Sequence, residues 1–122
     1  MMRAFKTGWF TKAAMKAGIK DSELCEANEE VKLDQAENLG GGVYKKRLNK
    51  NRHRSIILAR GRNYWIYQYL FAKKDRSNIE ETELDDFRSL AKGFASLSFQ
   101  QVALLLVQKD LVEICNEKQN KI

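Results

Sequence analysis

The chain has 122 residues, enough for one domain with one core and too few for a second domain of ordinary size. Apolar residues make up 43% and charged residues 31%, a balance that excludes a largely disordered chain. The net charge of +6 is unevenly placed: Gly40 to Lys74 holds ten basic residues and no acidic one, while the other 87 positions hold twelve basic and sixteen acidic, a net −4. One third of a small domain therefore carries the positive field, which points to a polyanionic partner, nucleic acid first. The longest strongly apolar stretch, Val102 to Val107, is far below the roughly 20 residues that span a bilayer. The amino terminus also lacks the apolar run of a secretory signal, so a cytoplasmic location and no membrane partner are expected.

In chain order, Arg3 to Lys6 reads as a short strand. From about Thr7 a helix follows, with Phe10, Ala13, Ala14 and Ala17 at i, i+3, i+4, i+7 spacing, ended by Gly18. Asp21 or Ser22 is the expected N-cap of a second helix carrying Glu23 and Glu26 in its first turn. Leu24, Ala27 and Val31 form its apolar face, and the pair reads as a helical hairpin. Gly40-Gly41-Gly42 reads as a turn. Val43 to Leu48, Arg54 to Arg60 and Tyr64 to Phe71 are rich in β-branched and aromatic residues, with Gly61-Arg62-Asn63 as a hairpin loop, and predict a three-stranded antiparallel meander. A third helix is expected from near Ile79 or Thr82, using Leu84, Phe87, Leu90, Ala91 and Phe94. Ser98 and Gln101 form a capping-box signature for a fourth, Leu111 to Cys115 reads as an edge strand, and Asn116 onward as a frayed tail. The fold class is α+β: a helical hairpin packed on a curled antiparallel sheet, with C-terminal helices. Cys25 and Cys115 have no CxxC spacing and are expected to be buried reduced thiols.

Alternation along a strand sends Lys45 and Arg47 to one face and Tyr44, Lys46 and Leu48 to the other. Arg54 opens the next strand, and Lys73 and Lys74 follow the one after, so cations from separate strands are expected to converge at one end of the sheet. Such a cluster suits RNA cleavage by the substrate's own 2′-hydroxyl. That reaction needs a proton acceptor, a donor for the departing 5′-oxygen and positive charge facing the phosphorane. Lysine, histidine and arginine supply all three with no cofactor. No HxH pair, carboxylate cluster or phosphate-cradling GxxxxGK[ST] occurs, which disfavours metal-assisted hydrolysis and nucleoside triphosphate use. His53 is the only histidine and adjoins Arg54, so it is a catalytic or RNA-contacting candidate beside the alternative of a structural role. Lys46, Lys50, Arg52 and Lys74 are candidate RNA contacts. Among the aromatics, Tyr69 and Phe71 are placed to stack bases, whereas Trp65 and Tyr67 read as core.

The stretches FKTGWFTKAAMKAGI, LGGGVYKKRL and HRSIILARGRNYWIYQYLFAKKDRSNI together resemble the bacterial RelE/HigB superfamily of type II toxin–antitoxin toxins, in particular its HigB-like branch. The resemblance covers residues 3 to 95 of a single domain spanning 1 to 122, with 96 to 115 as a C-terminal extension and 116 to 122 as a tail. It implies a microbial-ribonuclease-type fold and metal-free cleavage of mRNA, typically in the ribosomal A site, so that translation is inhibited. It also implies a cognate antitoxin, usually a helix-turn-helix DNA-binding protein through which alone operator DNA is reached. By position it assigns Lys45 and Arg47 to the phosphate-contacting strand, Arg54 to transition-state stabilisation and Lys73 to the basic position after the third meander strand. Relatives often carry tyrosine where His53 stands and have a longer loop than Asn49 to Arg52, which leaves the general acid and base open. Two alternatives remain: a ParE-like gyrase inhibitor that acts by binding, and a basic RNA-binding protein that cuts nothing.

Overall fold

A computed structural model of the chain describes residues 2–61 and 63–115. The architecture is α+β, a six-stranded, mostly antiparallel sheet with four helices. In chain order these are β1 (Arg3–Thr7), α1 (Gly8–Ala17), α2 (Asp21–Lys32), β2 (Glu37–Gly40), β3 (Val43–Leu48), β4 (His53–Arg60), β5 (Tyr64–Ala72), α3 (Glu81–Ala95), α4 (Phe99–Val107) and β6 (Leu111–Ile114). The strand order is β2-β3-β4-β5-β1-β6, with β1 parallel to β5 and every other pairing antiparallel. The β3-β4-β5 meander and the β6 edge lie where the sequence pattern puts them. The expected tail from Asn116 and Arg62 of the β4–β5 loop lie outside the described residues. β2 was not expected: its ENLG sequence lacks strand formers, and it pairs because the glycine turn folds it back onto β3. Gly41 and Gly42 have φ of 64° and 83°. A Cβ on Gly41 would lie 2.8 Å from the Cγ of Arg88, so this turn requires glycine for conformation and space together.

Both faces of the sheet are covered, which is why β4 and β5 are apolar on both sides at their centres. On one face Phe10 and Ala14 of α1 and Leu24, Ala27 and Val31 of α2 pack with Ile57, Trp65, Tyr67 and Leu70. On the other, α3 and α4 contribute Ala91 and Val102, with Leu84, Phe87 and Leu106, against Phe5, Val43, Ile56, Leu58, Ile66 and Phe71. Tyr67 is fully buried and donates its hydroxyl proton to Leu24 O at 2.7 Å, and burial pushes its pKa far up.

Helix caps explain the boundaries. The Thr7 hydroxyl accepts from Phe10 N–H at 3.1 Å, and the Ser98 hydroxyl from Gln101 N–H, also at 3.1 Å. α2 corrects the sequence reading: its N-cap is Lys20, while Asp21 is the first helical residue and pairs with Lys6 at 2.8 Å. A carboxylate in the first turn satisfies the helix dipole as well as a cap position does, and the Lys6 ammonium takes it there.

The thiol expectation is also corrected, because Cys25 and Cys115 form a disulfide across 90 residues of sequence. Pairing of β6 with β1, Ala4 opposite Ile114, carries Cys115 to α2, where the two Cα atoms stand 5.4 Å apart. Spacing in sequence held no trace of that proximity. Among the described residues no single helix is long and apolar enough to cross a membrane.

Candidate functional site: a cationic sheet face

Register fixes the site. Lys45 lies opposite Ile56, Arg47 opposite Arg54, Arg54 opposite Phe71 and Ile56 opposite Tyr69. Residues directly opposed across a sheet share a face, so Lys45, Arg47, Arg54, Tyr69 and Phe71 all project to the side that α3 covers only in part. Arg47 and Arg54 are thus a cross-strand pair of like charge. The Arg54 guanidinium donates to Asn51 O at 3.0 Å and His53 O at 3.2 Å, both neutral carbonyls. Among the described residues neither arginine is in an ion pair.

Lys45 is anchored more firmly. Its Nζ donates to Asn78 Oδ1 at 3.1 Å and pairs with Glu37 at 3.3 Å. The Glu37 side chain is more than half exposed, so this partner is screened and exchangeable. Lys45, Lys46 and Arg47 border a hollow of about 360 Å3 beside β2.

The other candidates are distributed as follows. Lys46 points to the opposite face, where it pairs with Glu30 at 3.1 Å and donates to Gln35 O at 3.0 Å. His53 shares that face: Leu48 and Ala72 are its cross-strand partners, and its Nδ1 lies 3.2 Å from Asn49 Nδ2. Burial and the neighbouring Arg52 push the imidazole pKa down. Lys50 and Arg52 are exposed in the β3–β4 loop, whose residues Asn49, Lys50 and Asn51 all have positive φ. The Asn49 N–H, donating to the Glu23 carboxylate, pins this loop to α2. Lys73 and Lys74 are exposed in the turn after β5, and the Lys73 N–H donates to Arg52 O at 2.9 Å. Tyr69 is half-buried, whereas Phe71 is 5% exposed and lies beneath a guanidinium.

That guanidinium belongs to Arg76, which sequence reasoning missed. It sits 5.6 Å from the Phe71 ring centroid, reaches the Tyr69 hydroxyl at 3.5 Å and forms a two-point pair with Glu83. Arg76 holds the Glu83 carboxyl below its ordinary pKa, helped by the Glu80 N–H. Glu83 thereby caps α3 and fixes Arg76 at once. The acid-free run ends at Lys74, before Asp75, so counting that run stops two residues before Arg76. A signal was present all the same, since a basic residue just past a strand end belongs with the strand's terminal side chains.

A compact α+β domain presents cations from two strands, β3 and β4, on one partly open sheet face, with Lys73 and Arg76 in the turn after β5, a charge pattern that attracts polyanions. A family model described as RelE toxin of RelE / RelB toxin-antitoxin system matches residues 2–114, and the chain belongs to this family. The match runs through α4 and β6. No curated protein and no solved structure gives a significant match.

Proposed function

We propose that this toxin is a metal-free endoribonuclease that cleaves mRNA on the ribosome and is held inactive by a cognate antitoxin. The observation that carries the reading is the opposition of Arg47 and Arg54 on adjacent strands, neither of them in an ion pair among the described residues. Like charges directly opposite are destabilising, and an anion bound beside the pair would relieve that cost. A scissile phosphodiester is such an anion. In this assignment Arg54 and Arg47 face the phosphorane oxygens as they gain charge, Lys45 orients the phosphate from β3, and Lys73 and Arg76 approach from the turn. The substrate's 2′-oxygen forms the new bond to phosphorus as the bond to the 5′-oxygen breaks. One proton leaves the attacking hydroxyl and one arrives on the leaving oxygen.

The test is induction of wild type and Arg54→Ala at matched abundance, with primer extension on cellular mRNA and a gyrase supercoiling assay alongside. Wild type should give codon-phased cuts, and Arg54→Ala should lose them by roughly a hundredfold or more, the scale of losing one transition-state donor. Equal cutting by the variant would refute the site, and lost supercoiling without cuts would make the protein a gyrase inhibitor. Arg47→Ala should also lose cutting, yet melt at the same or a higher temperature without RNA, because it removes the like-charge opposition.

A further inference from the structure

β1 pairs with β5 only from Arg3–Tyr64 to Lys6–Tyr67, so the outer edge of β5 beyond Tyr67 has no strand beside it. Helix α1 passes there instead. Between them lies a groove of about 610 Å3, within the range of sites that take a nucleotide-sized ligand. Its lining includes Trp9, Lys12 and Lys16 from α1 and Lys74 and Arg76 from the turn, with Asp75 as its one carboxylate among the described residues. Tyr69, Phe71 and Arg76 border this groove and the cationic sheet face alike, so the two are continuous around the edge of β5.

Two features need explaining. Lys12 and Lys16 stand four apart on one helix, a like-charge spacing that costs helix stability, and among the described residues neither they nor Lys74 is in an ion pair. Trp9 is 52% exposed at the groove wall. One side of its ring stacks on Tyr69 with centroids 5.0 Å apart and planes 26° apart. A solvated basic helix accounts for the lysines alone. A fixed, half-open indole beside three ammonium groups that are in no ion pair among the described residues, against a single carboxylate, is the pairing that single-stranded nucleic acid recognises, by base stacking and phosphate contact together.

We propose that this groove is a subsite for the unpaired RNA that flanks the scissile phosphate. Lys12, Lys16 and Lys74 hold its backbone phosphates, and Trp9, backed by Tyr69, stacks one base. The inference rests on the ribonuclease reading in that the bound strand is the substrate strand continuing past Arg54 and Arg76.

Fluorescence anisotropy on the full chain tests it with uncleavable 2′-O-methyl RNA of two lengths, a trinucleotide and a strand of about twelve nucleotides, within the span single-strand sites occupy. The long strand should quench Trp9 emission, whereas the deeply buried Trp65 gives a constant background. Trp9→Ala should weaken the long strand by roughly 5- to 150-fold, the cost of losing one stacked base. Lys12→Ala/Lys16→Ala should weaken it about tenfold and lower its salt slope by about 1.4, two single-strand phosphates. Neither variant should alter trinucleotide binding, whereas Arg54→Ala should weaken both lengths. Unchanged binding of the long strand by the groove variants overturns the proposal. So does an equal loss on an RNA duplex, which marks mere charge, or a loss confined to a protein partner such as the antitoxin. If Arg54→Ala changes neither length while the groove variants still lose the long strand, the ribonuclease site fails and the groove stands.

Discussion

His53 faces away from Arg54 although the two are neighbours in sequence, and its surroundings set its charge. When the Asn49 amide donates to Nδ1, the ring proton is on Nε2 and the imidazole is neutral. Burial, then Arg52, lowers its pKa in the folded chain below the 6.5 of an exposed histidine. The unfolded chain therefore takes up a proton first as pH falls. The stability tied to a neutral His53 is complete above about pH 6.5 and declines as pH drops from there toward the folded value. Urea unfolding midpoints between pH 5 and 7.5 should fall on the acid side for wild type, and His53→Gln should flatten that slope. A variant with the wild-type slope would show that another group titrates. At this scale much of the candidate site's geometry was legible: alternation alone separated Lys45 and Arg47 from Lys46, and the acid-free run located Arg54. Arg76 was not, because its place depends on a turn that folds back over Phe71 and on Glu83 from the next helix.

Among the elements, β5 shows where pattern reading has to fail. Tyr67, Tyr69 and Phe71 are spaced two apart and would share one face of a regular strand. Instead the register passes from Ile57–Tyr67 to Ile56–Tyr69, leaving Gln68 as the extra residue of a bulge. Tyr67 thus goes to the α1–α2 core, and Tyr69 and Phe71 go to the face of Arg54. Deleting Gln68 would turn Tyr69 and Phe71 into the core under α1 and carry Leu70 out of it. The deletion should abolish cooperative unfolding, whereas Gln68→Ala, which keeps the extra residue, should melt within a few degrees of wild type. A cooperative, active deletion variant would mean that the bulge does not position the site. β2 illustrates the converse: its residues have little strand propensity, and the glycine turn and the β3 edge impose the pairing on them.

For the molecule as a whole, the Cys25–Cys115 bond ties the last described strand to α2. Closing a loop of 90 residues confines the unfolded chain by about 4.5 kcal/mol in the chain-entropy account. Reduction should accordingly lower the melting temperature by ~10 °C or more in a domain of this size. An unchanged melting curve after complete reduction, checked by thiol titration, would show that the bond adds nothing.

β1 has a consequence of its own. It is made before both of its neighbours in the sheet, β5, some 60 residues downstream, and β6, some 110 downstream. The anchoring Arg3–Glu113 pair, at 2.8 Å, likewise joins residues 110 apart in sequence. During synthesis β1 must wait, unpaired, for partners that follow it by some 60 and 110 residues, and the sheet cannot close until both have left the ribosome. The toxin therefore has no closed sheet until β6 has joined β1.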